Sequence, residues 1–397
     1  MDPQWRAQGA KAAHRPSPRA WGGALVVTLC LMAVGGAVSA PADAAAPAAP
    51  LSTSWSTSQG AWAIVAMGKL DQLKDTFWQV FFRPEHAATW SLVTPPAVAD
   101  NGGLVAAGGP TAVTVGFEPS EDLDFSPVAQ STDDGRSWSP GVLPASLLAV
   151  PDALAAGPGG RLLALVRTAG GTLVSSPGPL SSWRTVSDRR ALAASAAGRS
   201  CGLVDLRAVA DASGDPVVGG SCTVPGVVGV LTDRGGSWHP SGLRLPSAAA
   251  GQPTSVLRLV SGSGGTAGLV TAGAGRSPDV YAIWRSSPSA EWSVSGVLHP
   301  SGTLVATASG PNGSLVVVSG GHGGTGRAES VSGPGAPWTA LPALPRGTAT
   351  VSEGADGVLD ALVVATARLV TWQLDPAGVR WIRGSTVTVP IQYGSST

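Results

Sequence analysis

Tryptophans that follow a turn rich in Gly, Pro, Ser or Asp recur at Trp138, Trp183, Trp238, Trp292, Trp338 and Trp381, and Trp90 falls in step with them. From Trp90 onward the intervals are 48, 45, 55, 54, 46 and 43 residues. That is close to the length of one four-stranded blade in a radial all-β repeat. A Trp entering a strand after a turn anchors it by burying a large apolar surface. Glycine is abundant, at 54 residues, but has no three-residue period, which excludes collagen. Many short apolar runs argue against disorder.

Between tryptophans one plan repeats: three short apolar strands, a turn, the Trp and a fourth strand. The runs are four to seven residues long, rich in Val and Leu, and bounded by turn formers. The fourth repeat reads most clearly. Leu206–Ala210 is the innermost strand, Val217–Cys222 the second, Val227–Leu231 the third, and Trp238 opens the fourth. Second strands of other repeats are expected near 112–117, 162–167, 267–272, 315–319 and 359–364. The expected fold is all-β: a seven-bladed β-propeller, with six blades as the alternative, built of four-stranded antiparallel blades over residues 51–397. In the first repeat Ala61–Met67 and Phe77–Phe82 have no clear innermost strand before them. The C-terminal run Thr386–Tyr393 is therefore expected to close the ring as that strand, since closure removes exposed sheet edges. The alternative is that the tail ends the last blade and residues 51–56 complete the first.

The clearest turn is Ser131-Thr132-Asp133-Asp134-Gly135-Arg136-Ser137-Trp138. Asp accepts from backbone N–H groups ahead of it and Gly takes φ > 0, so the pair suits a tight turn. A second copy keeps Asp233, Gly235 and Trp238. The pattern S-x-D-x-G-x-x-W resembles the Asp-box, or BNR repeat, of sialidase-type propellers. The whole chain resembles exported bacterial propellers of the sialidase-like and WD40/YVTN-like kind, and its excess of Arg over Lys looks like a high-GC bacterium. The resemblance implies that Ser131, Asp133, Gly135 and Trp138, with Asp233, Gly235 and Trp238, are structural. It also implies that they sit opposite the ligand face, which the loops joining second to third strands and successive blades would build.

Residues 1–40 have the layout of a secretory signal peptide. Arg6, Lys11, Arg15 and Arg19 precede an uncharged stretch from Ala20 to Val38, and Val38-Ser39-Ala40 offers a cleavage site. An uncleaved membrane anchor is the alternative. Residues 41–50, nearly all Ala and Pro, read as a linker. Cys30 lies in the leader, leaving Cys201 and Cys222, which flank a hairpin turn almost symmetrically. In an exported chain they read first as a disulfide, with two buried thiols as the alternative. The formal net charge is zero, so no nucleic-acid or anionic-membrane surface is indicated. The expectation is a secreted or cell-envelope monomer with an unidentified protein or glycan partner.

On the expected ligand face two loops of adjacent repeats carry acids. One holds Asp71; the other holds Glu118, Glu121, Asp122 and Asp124; Asp100 and Asn101 lie on the connection between them. Clustered carboxylates suit Ca²⁺, a cationic ligand or acid/base work, or form a solvated acidic loop. Sialidase chemistry needs three arginines on a substrate carboxylate and a Tyr/Glu pair. Phe82-Arg83-Pro84 departs from the family's Phe-Arg-Ile-Pro, and Tyr281 and Tyr393 lack a matching Glu and Arg setting. His86, His239, His299 and His322 are scattered without metal-ligand spacing. Residues 319–326 are glycine-rich but lack the helix of a phosphate cradle. Gly198–Gly202 matches G-x-S-x-G without its strand and helix. No catalytic or metal residue is therefore assigned. The leading expectation is a non-catalytic binding scaffold, and the alternative is an exo-acting, sialidase-like glycoside hydrolase using the acidic loops.

Overall fold

The computed structural model describes residues 52–390, apart from 71–75, 97–103, 110–111, 118–126, 142–150, 169–170, 179, 181, 263, 276, 321–324 and 366. The leader, the linker and the residues after 390 lie outside the described residues. All described residues belong to the compact unit Asp43–Thr397.

The chain is nearly all β and forms consecutive four-stranded antiparallel sheets. The first holds β1 (Ser52–Thr57), β2 (Gly60–Gly68), β3 (Thr76–Pro84) and β4 (Ser91–Leu92). Next come β5 (Leu104–Gly108), β6 (Val113–Phe117), β7 (Val128–Ser131) and β8 (Ser139–Pro140), then β9 (Pro151–Ala156), β10 (Leu162–Val166), β11 (Thr172–Ser176) and β12 (Arg184–Asp188). They are followed by β13 (Leu203–Ala212), β14 (Asp215–Cys222), β15 (Gly229–Arg234) and β16 (Ser237–Pro240), and by β17 (Thr254–Gly262), β18 (Gly265–Ala272), β19 (Asp279–Arg285) and β20 (Ser293–Val294). The last two sheets are β21 (Leu304–Ser309), β22 (Leu315–Ser319), β23 (Arg327–Val331) and β24 (Thr339–Ala340), and β25 (Thr348–Glu353), β26 (Leu359–Ala365), β27 (Arg368–Leu374) and β28 (Trp381–Thr388).

Second strands such as β10 and β22 are buried at every residue. Both faces of each sheet are covered by its neighbours, so these strands read as unbroken Val and Leu runs rather than alternating ones. Burial fades outward, and β8 and β24 are wholly exposed. Apolar cores lie between consecutive sheets. Ala61, Phe81 and Trp90 of the first sheet share one with Leu362, Leu369 and Val389 of the last, so packing closes the ring.

The closing strand is a correction to the sequence reading. Thr386–Thr388 belong to β28, the outermost strand of the last sheet, where Thr386 pairs with Val370 and Thr388 with Arg368. The innermost strand of the first sheet is β1, pairing Thr53 with Ile64 and Thr57 with Gly60. The reason is register. The strand begun at Trp381 runs on without a break, and its side chains are mostly exposed, as suits an edge and not a central channel. β1 offers small Ser and Thr side chains that fit the crowded centre. It also pairs in parallel with β21, Ser52 opposite Ala306 and Trp55 opposite Ser309. β25, the innermost strand of the last sheet, is tied to β1 by the Ser54 hydroxyl, which donates to the Val351 carbonyl at 2.7 Å.

A buried ion cluster seals the same seam. Arg83, at the end of β3, is 2% exposed. Its Nε lies 2.8 Å from Asp360 Oδ2 and its Nη1 3.2 Å from Asp356 Oδ2. The Trp90 indole N–H donates to Asp360 Oδ2 at 3.1 Å.

In the turn 131–138, Ser131 Oγ accepts from the Gly135 N–H at 2.8 Å and Asp133 Oδ1 accepts from the Ser137 N–H at 2.9 Å. The Ser137 bonds, from hydroxyl and amide, lead the effects that lower the Asp133 pKa to about 2. Asp134 and Gly135 both have positive φ. The Trp138 indole N–H donates at 2.9 Å to the Val93 carbonyl of the preceding sheet. Trp338 and Trp381 do the same to Gly296 and Pro342. These three tryptophans staple their own sheets to the ones before them.

Candidate functional site

The innermost strands β1, β5, β9, β13, β17 and β21 surround a central cavity of about 570 Å³. Most of its wall is Ala, Gly, Leu and Val, and the charged groups are few: Asp152, Asp205, Arg207, Asp211 and Arg258. Each of these carboxylates has its own arginine. Asp152 Oδ1 lies 2.8 Å from Arg167 Nη2, and Asp205 Oδ2 lies 2.8 Å from Arg207 Nε. Asp211 Oδ2 accepts from Arg161 Nε at 2.7 Å, while its Oδ1 accepts from the Gly214 N–H.

Among the described residues Arg258 meets no carboxylate. Its Nη1 donates to the Thr307 carbonyl at 3.0 Å, to Thr307 Oγ1 and to Thr53 Oγ1; its Nη2 donates to the Ser54 carbonyl at 2.7 Å and to Ser309 Oγ. One guanidinium from β17 thus spans the parallel seam between β1 and β21. Its surface is partly open, but desolvation deep in the channel lowers its pKa to about 10. The strand register shifts between Val256 and Arg258, and again beside Arg207 between Leu206 and Ala208. Such bulges re-aim a side chain, here toward the channel. Arg258→Lys is expected to lose about 1–3 kcal/mol of unfolding free energy in urea, because an ammonium cannot reproduce the planar fork and leaves carbonyls unpaired.

One further acid lies at the rim. Burial pushes the Glu353 carboxyl up, against the hydrogen bond that it accepts from Ser314 Oγ at 2.5 Å. Asp356 and Asp360, beyond it, are engaged with Arg83. Among the described residues no three His, Cys, Asp or Glu side chains gather as a metal site.

Asp71, Asp100, Asn101, Glu118, Glu121, Asp122 and Asp124 all lie outside the described residues, as do His322 and Tyr393. Tyr281 is buried in the core between the β13–β16 and β17–β20 sheets, where its hydroxyl meets no partner among the described residues and burial raises its pKa. Arg83 holds two protein carboxylates instead of a ligand. A disulfide joins Cys201 to Cys222 with Cα atoms 5.4 Å apart. Ser200 lies inside a short helix, α2 (Ala196–Cys201), and its hydroxyl donates to the Ala197 carbonyl. That helix and α1 (Arg189–Ala194) were not anticipated. Their signals are the caps Asp188 and Ser195, whose side chains accept from the Ala191 and Gly198 N–H groups. The channel residues were also missed, although Arg207 and Arg258 each stand between apolar residues, directly after a Leu, in the innermost strands of consecutive sheets.

No family model matches the chain, and no curated protein matches it. Solved β-propellers do. A putative 6-phosphogluconolactonase from Bacteroides fragilis NCTC 9343 is 11% identical, with 84% of this chain and 96% of that one covered at a TM-score of 0.52. YCF48 bound to D1 peptide is 13% identical over 86% and 94%, with a TM-score of 0.41. A fungal lectin from Aleuria aurantia, a six-bladed propeller that recognises fucose, is 14% identical over 75% and 95%, with a TM-score of 0.42. At such identities the likeness extends to the fold and not to the chemistry.

Proposed function

We propose that the chain is an exported, seven-bladed β-propeller of the Asp-box type that acts as a non-catalytic binding scaffold, taking a protein or glycan partner at its channel mouth and the neighbouring loops. The observation that carries this reading is the pairing of every described carboxylate in the channel wall with an arginine. General acid/base hydrolysis needs two carboxyls free to exchange protons across a substrate, about 5–5.5 Å apart for retention and roughly 6.5–9.5 Å for inversion. A wall of paired charges, small side chains and strand backbone instead suits recognition in a preformed concave site. The Cys201–Cys222 bond fits an oxidising compartment, in line with export.

Glu353 is the one observation on the side of the hydrolase reading, since burial raises the pKa of its carboxyl. Glu118, Glu121, Asp122 and Asp124 follow the second strand β6, whereas Glu353 ends the innermost strand β25, so the two are separate candidates, the former for acid/base work or a Ca²⁺ site. Glycan and peptide arrays combined with a fluorogenic glycoside panel on the purified protein separate the two. Binding without turnover is expected. Turnover that disappears in Glu118→Gln, Asp122→Asn or Glu353→Gln overturns the scaffold reading.

A further inference from the structure

The last sheet differs from the others at its outer edge. Outermost strands elsewhere are short, from two residues in β4, β8, β20 and β24 to five in β12. β28 has eight residues, and among the described residues it pairs with β27 alone. Its other edge therefore presents a long row of backbone donors and acceptors. Short edge strands are a usual defence against unwanted pairing, and this one is not short.

The surroundings are unusual as well. A groove of about 600 Å³ runs beside β28, lined in part by Trp372, Trp381, Arg346, Arg380 and Arg383, with no acid among the described residues of its lining. Val379 and Ile382 are 68% and 48% exposed, and they account for two of the three large hydrophobic side chains left exposed among the described residues. The Asp375 carboxylate, which faces Arg380 at 3.4 Å, also accepts from the turn's own amides at Val379 and Arg380. Arg383 makes no ion pair among the described residues. A long free edge, exposed apolar side chains and excess positive charge thus coincide in one place.

We infer that β28 and its groove form a docking site for an acidic, extended segment of a partner protein, which adds to the sheet as a further strand. Backbone pairing along β28 supplies affinity, and alternate side chains of the added strand lie over the groove, where carboxylates meet the arginines. The charge decides against a second copy of this chain at the same edge, because two β28 strands brought together would oppose arginine to arginine. The site is peripheral to the channel, so it stands or falls apart from the reading given above.

The test uses the full chain and fluorescent eight-residue peptides that alternate Glu with Val, or Lys with Val. Expected is saturable binding of the Glu peptide, weaker at high salt, and none of the Lys peptide. N-methylation of one alternate set of the peptide's amides should abolish binding, and methylation of the other set should not. Arg380→Glu with Arg383→Glu should weaken the Glu peptide at least tenfold while leaving the melting temperature unchanged; both sites are exposed. No binding, equal binding of both peptides, indifference to methylation, or full affinity in the double variant overturns the inference. So does binding confined to anionic glycans.

Discussion

Replacing Cys201 and Cys222 together by Ala is expected to lower the unfolding free energy by about 2–5 kcal/mol. The bond spans 21 residues, and closing a loop of that size in the unfolded chain accounts for about 3 kcal/mol in the chain-entropy picture. Location adds to this. Cys201 ends α2 and Cys222 ends β14, with Leu203 directly opposite Cys222 across the sheet. The bond thus fixes the end of the helical excursion α1–α2 to β14, the partner of the strand it leads into. Both sulfurs sit in the core between the β9–β12 and β13–β16 sheets, so the Ala side chains also leave space there. Urea unfolding of the oxidised protein and of the variant measures the difference, and coincident midpoints would refute it. Amide exchange should accelerate first in 189–201, where two six-residue helices are too short to persist unaided.

The same region marks where sequence legibility ends. The tryptophan interval and the Val-rich runs placed strands correctly because blade cores are made by local, repeated packing. Leu315–Ser319 was expected and found to the residue. The helices at 189–201 escaped because they break the repeat, and their caps mean little without a strand on either side to limit them. The closing strand was misassigned for a different reason. A Val/Thr run suits the centre or the edge of a sheet equally well, and only pairing with Arg368 and Val370 decides between them. Strand β1 was hard to see because Ser52–Thr57 has a single large hydrophobic residue, Trp55.

The channel was illegible in another way. Sequence shows which residues are acidic but not which arginine each one meets. Asp211 is paired with Arg161 fifty residues away, from a different sheet. Acids that cluster in sequence, at 118–124, stand out in the chain instead. The acids brought together by the fold are single residues at the ends of inner strands. Arg258 is the clearest instance. Its partners Thr53, Ser54, Thr307 and Ser309 come from two strands some 200 and 50 residues distant, and no local pattern announces them.

Arg83→Met should be the most damaging single substitution at neutral pH, and its effect should depend on pH. Asp356 and Asp360 share this one buried cation, so they cannot both keep their charge cheaply. Burial raises the Asp360 pKa to about 6, only partly opposed by Arg83 and Trp90. Burial acts on Asp356 too, but there the Arg83 hydrogen bond and the Val358 amide prevail, and its pKa falls. Removing Arg83 leaves two buried carboxylates without a cation at pH 7.5, which costs about 3–5 kcal/mol. Asp360 has a folded pKa above its unfolded value of about 3.9. Its contribution to stability is complete below pH 4 and is lost as pH rises through 6. Asp356 has the opposite sign, contributing above pH 4 and losing that contribution on acidification. In the variant both carboxyls protonate more readily, and a neutral carboxyl needs no cation. The deficit measured by urea unfolding should therefore shrink by at least half between pH 7.5 and pH 4.5. A deficit that stayed constant over that range would mean that Arg83 acts through packing and its contact with Trp90, whose ring centroid lies 6.0 Å from the Arg83 Cζ, and not through its ion pairs with Asp356 and Asp360.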